Sequence, residues 1–232
     1  MMQSLPQGYR ALVFGASGAI GEALVNKLGA DPRCQQVHAL SRHSDPAFDL
    51  LNEDSMVVCA AALAHLGPFH LVIDATGALM IDGRGPEKRL DELNADHLLR
   101  AMQLNAVGPA LLLKHFSPLL ASGERVIWAK LSARVGSIED NRKGGWYGYR
   151  AAKAALNMLL QTAAIEIARR RPLAVVAALQ PGTVRSALSP PFVGDDALAP
   201  QIAAQGLLQA LDAAPATGRA VFLDHQGQCI PW

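Results

Sequence analysis

The residues best suited to move a proton lie in the stretch GGWYGYRAAKAAL, residues 144–156. Residues four apart on a helix share a face, about 6 Å apart along the axis. Tyr149 has Lys153 at that spacing, whereas Tyr147 has Ala151. An ammonium group beside a phenol favours the phenolate, so Lys153 is expected to lower the pKa of Tyr149 and make it an acid–base group. Such a pair also occurs by chance on ordinary alanine-rich helices, so other motifs must decide between the two interpretations.

A glycine-rich turn, VFGASGAIGEAL, follows the first predicted strand and opens the first predicted helix. This is the context in which dinucleotide-binding proteins hold a pyrophosphate, although a purely structural turn can look the same. Gly15 permits the tight turn, Gly18 lets the backbone approach a phosphate, and Gly21 lets the helix pack closely on the sheet. The helix N-terminus adds free N–H groups and a positive dipole end. The residues expected to contact the cofactor phosphates are Gly15, Ser17, Gly18, Ala19, Ile20 and Gly21.

The end of the second predicted strand, ALSRHSD, bears on the type of nucleotide. An acidic residue about 20 positions beyond the glycines would bind a ribose 2′-hydroxyl and favour NAD. That position holds Ser41 and Arg42 instead, and an arginine can pair with a 2′-phosphate in fork geometry. The sequence therefore favours NADP over NAD, while Asp45, three residues further on, keeps NAD as the alternative.

Short apolar runs alternate with helical patterns along the whole chain. The runs that are typical of strands are YRALVFG, QVHALSR, HLVIDATG, ERVIWAKLS, PLAVVAALQPG and RAVFLD. Helices are predicted over residues 19–28, 53–65, 94–120 (with a bend near Val107-Gly108-Pro109), 149–170 and 200–211. This alternation predicts a parallel sheet covered by helices on both faces. We expect one nucleotide-binding domain over residues 1–232, because no linker or repeat divides the chain.

Composition and charge narrow the class of protein. Half of the 232 residues are hydrophobic, 18% are charged and the formal net charge is +1, so neither a nucleic-acid nor a membrane partner is expected. Cys34, Cys59 and Cys229 have no metal-ligand spacing, and their odd number suggests reduced thiols in a cytoplasmic protein. The loops over residues 81–89 and 188–200 follow predicted strand ends and are candidate walls of a substrate pocket.

Taken in order, these motifs resemble those of the short-chain dehydrogenases/reductases of the compact single-domain type. The likeness includes GASGAIG at the glycine turn, Asp49 in AFDLL, DATG at residues 74–77, Asn105 in LNAVGPALLL, the Tyr149–Lys153 pair and QPGTVRS at residues 180–186. The stretch ARVGSIEDNRKGGWYGYRAAKAALN is similar to the sniffer-like or C-factor-like branch of carbonyl reductases. The resemblance implies a Rossmann-type, doubly wound sheet of seven mostly parallel strands, and a homodimer or homotetramer.

The same resemblance implies a set of cofactor contacts and a mechanism. NADPH would supply a hydride, Tyr149 a proton, and Lys153 would also bind the nicotinamide ribose, while Asn105 would hold a water that links Lys153 to solvent. The implied cofactor contacts beyond the glycine turn are Ser41, Arg42, Asp49, Leu50, Ala75, Thr76, Gly77, Asn105, Tyr149, Lys153, Pro181, Gly182, Thr183 and Val184.

One position departs from the family pattern in a way that matters for catalysis. The family places its catalytic serine three residues before a glycine, which here is Ala133 counted back from Gly136. Ser132 is the immediate neighbour and Ser137 lies just beyond, but a shift of one residue on a strand turns a side chain to the opposite face. We predict that Ser132 binds the substrate oxygen, with Ser137 or no serine as alternatives.

The overall prediction is an NADP-dependent oxidoreductase that interconverts a small ketone or aldehyde and its alcohol. The alternative is an NADP-binding regulatory or signalling protein on the same fold, with weak or no catalysis. The alanine at the serine position supports the alternative, whereas Tyr149, Lys153 and Asn105 together support the enzyme.

Overall fold

Six parallel strands form one sheet in the part of the chain that the computed structural model describes, residues 1–185 and 197–232. The strands are β1 (Tyr9–Phe14), β2 (Cys34–Leu40), β3 (Leu71–Asp74), β4 (Val126–Leu131), β5 (Ala174–Gln180) and β6 (Ala220–Asp224). Their order across the sheet is β2-β1-β3-β4-β5-β6. The chain leaves β1 toward β2 on one side and later returns to place β3 on the other side. In open parallel sheets this switch point, at the carboxyl ends of the strands, is where ligands bind.

The helices cover both faces of the sheet. Alternate residues of each strand point to opposite faces, so both faces present apolar side chains on which helices pack. They are α1 (Ala19–Gly29), α2 (Glu53–Leu63), α3 (Ala95–Met102), α4 (Gly108–Phe116), α5 (Tyr147–Arg170) and α6 (Pro200–Ala213). Leu12 and Phe14 of β1 pack with α2, α4 and α5, whereas Ala11 and Val13 pack with α1 and α6. Within the described ranges, no helix is both long and apolar enough to cross a membrane.

The prediction of seven strands is wrong for the residues that the structure describes, since six pair in the sheet. After β6 the chain reverses at Gly227, and the returning segment makes one antiparallel bridge, between Leu223 and Cys229. The N–H of Ile230 donates to the carbonyl of Phe222, but the next residue is Pro231, which has no N–H to extend the pairing. The resemblance implied a seventh strand, and this segment pairs too briefly to be one.

The long helix predicted over residues 94–120 is interrupted by a π-helical turn at Gln103–Val107, between α3 and α4. This turn lies directly before Gly108 and Pro109, where the sequence predicts a bend. Pro109 has no N–H to donate to the carbonyl four residues before it, which belongs to Asn105. Asn105 lies in this π-helical turn, and its side chain forms two hydrogen bonds with Ala78 in the loop after β3.

Candidate active site

The glycine turn and the loop after β3 meet at the switch point of the sheet. A Cβ added to Gly15, whose φ is +73°, would lie 3.0 Å from the carbonyl carbon of Ala75 and from the nitrogen of Thr76. A Cβ added to Gly21 would lie 2.2 Å from the Gly15 carbonyl oxygen. Both positions therefore require glycine. Gly18, the N-cap residue of α1, has no side chain that could accept from the N–H groups of the first turn. The turn therefore fits a pyrophosphate, which accepts from such backbone N–H groups.

The residues predicted to select NADP follow β2 directly and lie next to this turn, since the N–H groups of Gly15 and Ala16 both donate to the carbonyl of Leu40. The Ser41 hydroxyl accepts from the His43 N–H at 3.1 Å. Arg42 is exposed and makes no side-chain hydrogen bond within the described ranges. Its guanidinium is therefore available to a phosphate. Among the same residues, no three His, Cys, Asp or Glu side chains come together as a potential metal site.

Two further predicted cofactor contacts, Asp49 and Leu50, lie in the loop between β2 and α2. The Asp49 carboxylate accepts from the Leu51 N–H at 2.9 Å and is exposed. Leu50 packs against the start of α4, where a Cβ on Gly108 would lie 2.7 Å from the Leu50 Cγ. Gly108 therefore lets α4 approach this loop closely.

Helix α5 brings Tyr149 and Lys153 to the carboxyl end of β4, as their spacing predicts. The Lys153 ammonium lies 5.5 Å from the centroid of the Tyr149 ring and donates to the Leu131 carbonyl at 3.1 Å. Tyr149 borders a cavity of about 680 Å³. The cavity is also lined by Ile20, Leu79, Ser132, Ala133, Arg134, Trp146 and residues 180–184. The phenol therefore faces a space large enough for a small organic substrate.

Burial controls the ionisation of both groups of this pair. Burial raises the pKa of Tyr149 to about 12. Burial also lowers the pKa of Lys153 well below its usual value, and the nearby Lys130 ammonium lowers it further, while Asp74 opposes the shift. The pKa of Tyr149 is therefore raised rather than lowered as expected, because the loss of solvation around the phenol is the cause that decides its direction. The phenol keeps its proton at neutral pH.

Asn105 lies in the π-helical turn and is fully buried. Its Oδ1 accepts from the Ala78 N–H at 3.1 Å, and its Nδ2 donates to the carbonyls of Ala78 at 2.9 Å and Ala101 at 3.2 Å. A Cβ on Gly77, whose φ is +133°, would lie 3.1 Å from the Asn105 Oδ1 and 3.5 Å from the Lys153 Nζ. Asn105, Gly77 and Lys153 therefore converge on one point of the site.

The two candidate serines have other partners in the structure. The buried Ser132 hydroxyl donates its single proton to the Asn157 Oδ1 at 2.7 Å. The Ser137 hydroxyl accepts from the Asp140 N–H at 2.9 Å and stabilises a turn. Ser132 and Ala133 both border the cavity. Asn157 was not singled out from the sequence, although it continues the spacing of four that joins Tyr149 to Lys153.

The turn after β5 forms the wall of the cavity opposite α5, and residues 180–184 line it. Gly182 has a φ of +83°, and a Cβ there would lie 2.8 Å from the Leu198 Cδ1. The N–H of Leu198 donates to the carbonyl of Thr183 at 2.8 Å, which ties this turn to the start of α6. Of the predicted wall over residues 188–200, only residues 197–200 are described, and the remainder lies outside the described residues, as does Ser186.

The other predicted wall, residues 81–89, is not among the described residues that line the cavity, and it contributes a buried carboxylate to α5 instead. The Gly148 N–H donates to the Glu87 Oε2 at 2.9 Å, and the Trp146 N–H donates to the Glu87 carbonyl. His97 places its Nε2 3.8 Å from the Glu87 Oε1. Sequence patterns carry no sign of this contact, which joins residues 61 positions apart.

The chain was compared with known proteins. Residues 25–226 match a short-chain dehydrogenase family model described as enoyl-(acyl carrier protein) reductase. The 1-hydroxy-2-glutathionyl-2-methyl-3-butene dehydrogenase of Rhodococcus sp. (strain AD45) is 29% identical over 190 residues, which are 81% of this chain and 80% of that protein. The C-signal protein of Myxococcus xanthus is 29% identical over 167 residues, which are 72% of this chain and 94% of that protein.

Solved structures have the same fold. The NADPH-bound carbonyl reductase from chicken fatty liver superposes with a TM-score of 0.84 at 20% identity, over 99% of this chain and 97% of that chain. The family match spans most of the sequence, from α1 to the end of β6, and the glycine turn, the Tyr149–Lys153 pair and the turn after β5 meet at one edge of the sheet. The chain belongs to the short-chain dehydrogenase/reductase family.

Proposed function

We propose that this protein is an NADP-dependent oxidoreductase that reduces a ketone or aldehyde to an alcohol, or catalyses the reverse reaction. The observation that carries the proposal is the position of Tyr149, which lines a cavity of about 680 Å³ together with residues 180–184 and has the Lys153 ammonium 5.5 Å from its ring centroid. The carbonyl reductase from chicken fatty liver, which has this fold, holds NADPH.

NADP would extend from the glycine turn toward the cavity. The N–H groups at the start of α1 would hold the pyrophosphate, and Ser41 and Arg42 would hold the 2′-phosphate. Asp49 and Leu50 would contact the adenine, and Ala75, Thr76 and Gly77 the nicotinamide ribose. Pro181, Gly182, Thr183 and Val184 would face the nicotinamide. When bound, the cofactor supplies the hydride.

The side chains of this protein would handle the proton and the carbonyl oxygen. Tyr149 donates its phenolic proton to that oxygen, and its raised pKa suits a donor because the group stays protonated at neutral pH. Lys153 would bind the nicotinamide ribose and return a proton to Tyr149, and a water held by Asn105 would link Lys153 to solvent. We assign no oxygen-binding role to Ser137, and the predicted role of Ser132 is tested separately below.

A second candidate is an NADP-binding regulatory or signalling protein with weak catalysis. Two observations favour it: the similarity to C-signal over 94% of that relative, and the alanine at the serine position of the site. Its test is the same as that of the enzyme.

The test is NADPH oxidation in the presence of a panel of aldehydes, ketones and quinones, with NADPH binding measured in parallel. Tyr149→Phe removes the proton donor, so we expect turnover to fall by about a hundredfold or more. Its dissociation constant for NADPH should stay within about threefold of the original, since one phenol contributes little to the binding of a whole dinucleotide. Tyr147→Phe is the matched control, since Tyr147 starts α5 but does not line the cavity, and it should retain activity. Tight NADPH binding with no turnover, unchanged by Tyr149→Phe, would instead support the regulatory function.

A further inference from the structure

Lys130 of β4 is a fully buried lysine next to the site, with 1% of its side chain exposed. Its three ammonium protons match three acceptors: the Thr76 carbonyl at 2.6 Å, the Asp74 Oδ1 at 3.1 Å and the Thr76 hydroxyl at 3.2 Å. A lysine is almost never fully buried unless it is paired, because desolvation of its charge is costly. This side chain has no role in the mechanism described above.

The partner carboxylate binds the same threonine from the other side. The Asp74 Oδ1 accepts from the Thr76 N–H at 2.9 Å and from the Thr76 hydroxyl at 2.5 Å. Its Oδ2 is buried and has no hydrogen-bond partner within the described ranges. Asp74 and Lys130 together therefore hold the N–H, the carbonyl and the hydroxyl of Thr76. The orientation of the Thr76–Gly77 peptide depends on this ion pair.

The other end of this loop reaches the residues of the proposed mechanism. Asn105 holds both the N–H and the carbonyl of Ala78. Gly77 lies between Thr76 and Ala78, the two residues held in this way. A Cβ added to Gly77 would lie 3.1 Å from the Asn105 Oδ1 and 3.5 Å from the Lys153 Nζ. A displacement of the Thr76–Gly77 peptide would therefore change the space in which Lys153 lies.

We propose that Lys130 is a positioning residue of this active site, whose ammonium, paired with Asp74, holds the Thr76–Gly77 peptide against Asn105 and Lys153. The contacts of Lys130 and Asp74 with Thr76 do not depend on which reaction the protein catalyses, but the consequence for catalysis rests on the proposed function. The pair also sets the charge around Lys153, which is faced by Tyr149 on its own helix, by Lys130 from β4 and by Asp74 from β3. The charge of Lys130 lowers the pKa of Lys153, whereas the charge of Asp74 raises it.

The first test measures the protonation of Lys153 without any turnover. NMR of protein labelled with ¹³C at the lysine Cε follows each lysine during a pH titration, and Lys153→Met assigns its signal. Lys130→Met removes the opposing charge, so the apparent pKa of Lys153 should rise. Asp74→Asn removes the favouring charge, so that pKa should fall. Lys114→Met, at an exposed lysine paired with Glu53, is the matched control and should leave it unchanged.

Opposite shifts in the two variants support the part of the proposal in which the ion pair sets the charge around Lys153, because a contact that only holds the loop does not give them. Equal titration of Lys153 in the original protein, Lys130→Met and Asp74→Asn would overturn it. If Lys130→Met does not fold, Asp74→Asn decides, because Lys130 keeps its two bonds to Thr76 in that variant. A Lys153 signal that does not shift in Asp74→Asn then counts against the proposal.

The second test separates this inference from the proposed function. The pH profile of NADPH-dependent turnover should move upward in Lys130→Met and downward in Asp74→Asn, since the Tyr149–Lys153 pair titrates as a unit. The turnover number of Lys130→Met should also fall by about tenfold, which is the effect expected for a displaced catalytic group. Opposite NMR shifts without turnover in the original protein would uphold the influence of the Lys130–Asp74 pair on Lys153 and reject the enzyme. Turnover with identical pH profiles in all three proteins would reject the positioning role and uphold the enzyme.

Discussion

The partly buried position of Tyr149 favours the protonated phenol at neutral pH. The phenol has a pKa raised to about 12, so it is available as a proton donor and only rarely as a base. Reduction of a carbonyl needs a donor, whereas oxidation of an alcohol needs the phenolate. The ionisation of this residue therefore favours reduction near pH 7, and oxidation should become faster as the pH rises.

Ser132 and Ala133 allow a test of which group holds the substrate oxygen. The proton of the Ser132 hydroxyl is donated to Asn157, so we expect Ser132→Ala to lower turnover by no more than about threefold and stability by about 1 kcal/mol. Ala133→Ser places a hydroxyl on the opposite face of the extended segment, and it should raise turnover by about tenfold, because an added donor stabilises the developing oxyanion. Steady-state kinetics with one accepted substrate measure the turnover of both variants, and chemical denaturation measures the stability of Ser132→Ala. A hundredfold loss in Ser132→Ala would instead establish Ser132 as the oxygen-binding residue.

At the scale of elements, the start of α5 depends on a residue from a distant loop. Trp146 precedes the helix with a φ of +56° and gives its first turn no side-chain hydrogen bond. Glu87 accepts from Gly148 in its place, and its negative charge lies at the positive end of the helix dipole. A Cβ on Gly148 would lie 3.0 Å from the Glu87 Oε1, so glycine permits this approach. Since Tyr149 is the next residue, Glu87 helps to fix its position.

Glu87→Ala should therefore lower the free energy of unfolding by about 1–2 kcal/mol, as the loss of a helix cap does. Turnover should fall by about tenfold because Tyr149 is less well positioned. Glu87→Gln keeps an oxygen acceptor for the Gly148 N–H and should restore most of both. Chemical denaturation and steady-state kinetics make the comparison, with Glu166→Ala, an exposed glutamate on α5, as the control. Unchanged stability in Glu87→Ala would show that the contact does not cap the helix.

At the scale of the whole molecule, another buried tyrosine, Tyr9, lies at the start of β1, at the end of the strands opposite to the site. The Tyr9 hydroxyl donates to the Asp31 Oδ2 at 3.0 Å. Burial and the nearby Cys34 and Asp31 raise the pKa of Tyr9 far above its usual value. In the unfolded chain the phenol would ionise near pH 10. A group whose pKa is higher in the folded state stabilises the fold below the unfolded pKa, and this stabilisation is lost as the pH rises beyond it.

We therefore expect the thermal midpoint of unfolding to fall steeply above about pH 10. Tyr9→Phe should lower the midpoint at pH 7, because a hydrogen bond to a buried carboxylate is lost, and should make the alkaline decrease shallower. Tyr147→Phe serves as the control, and its pH dependence should follow that of the original protein. Identical alkaline slopes in Tyr9→Phe and the original protein would mean that Tyr9 does not cause the loss.

Local patterns predicted most elements of the fold, because each is encoded in a continuous stretch of residues. The apolar runs became six strands, and the helices expected over residues 19–28 and 200–211 are α1 and α6 with small changes at their ends. The π-helical turn was missed because a single altered hydrogen bond within a long helical pattern leaves little trace in periodicity. The prediction of a seventh strand came from the resemblance alone. Whether the short final segment pairs as a strand depends on its tertiary contacts with the edge of the sheet, which local patterns do not encode.

The sequence by itself determined the glycine turn, the shared helix face of Tyr149 and Lys153, and the family to which the chain belongs. Each depends on residues close together in the chain or on motifs in a set order. Only the tertiary structure decided that Ser132 donates to Asn157, that Lys130 pairs with Asp74, and that Glu87 caps α5. These contacts join residues 25, 56 and 61 positions apart in the chain, so they depend on how strands and helices pack rather than on any local spacing.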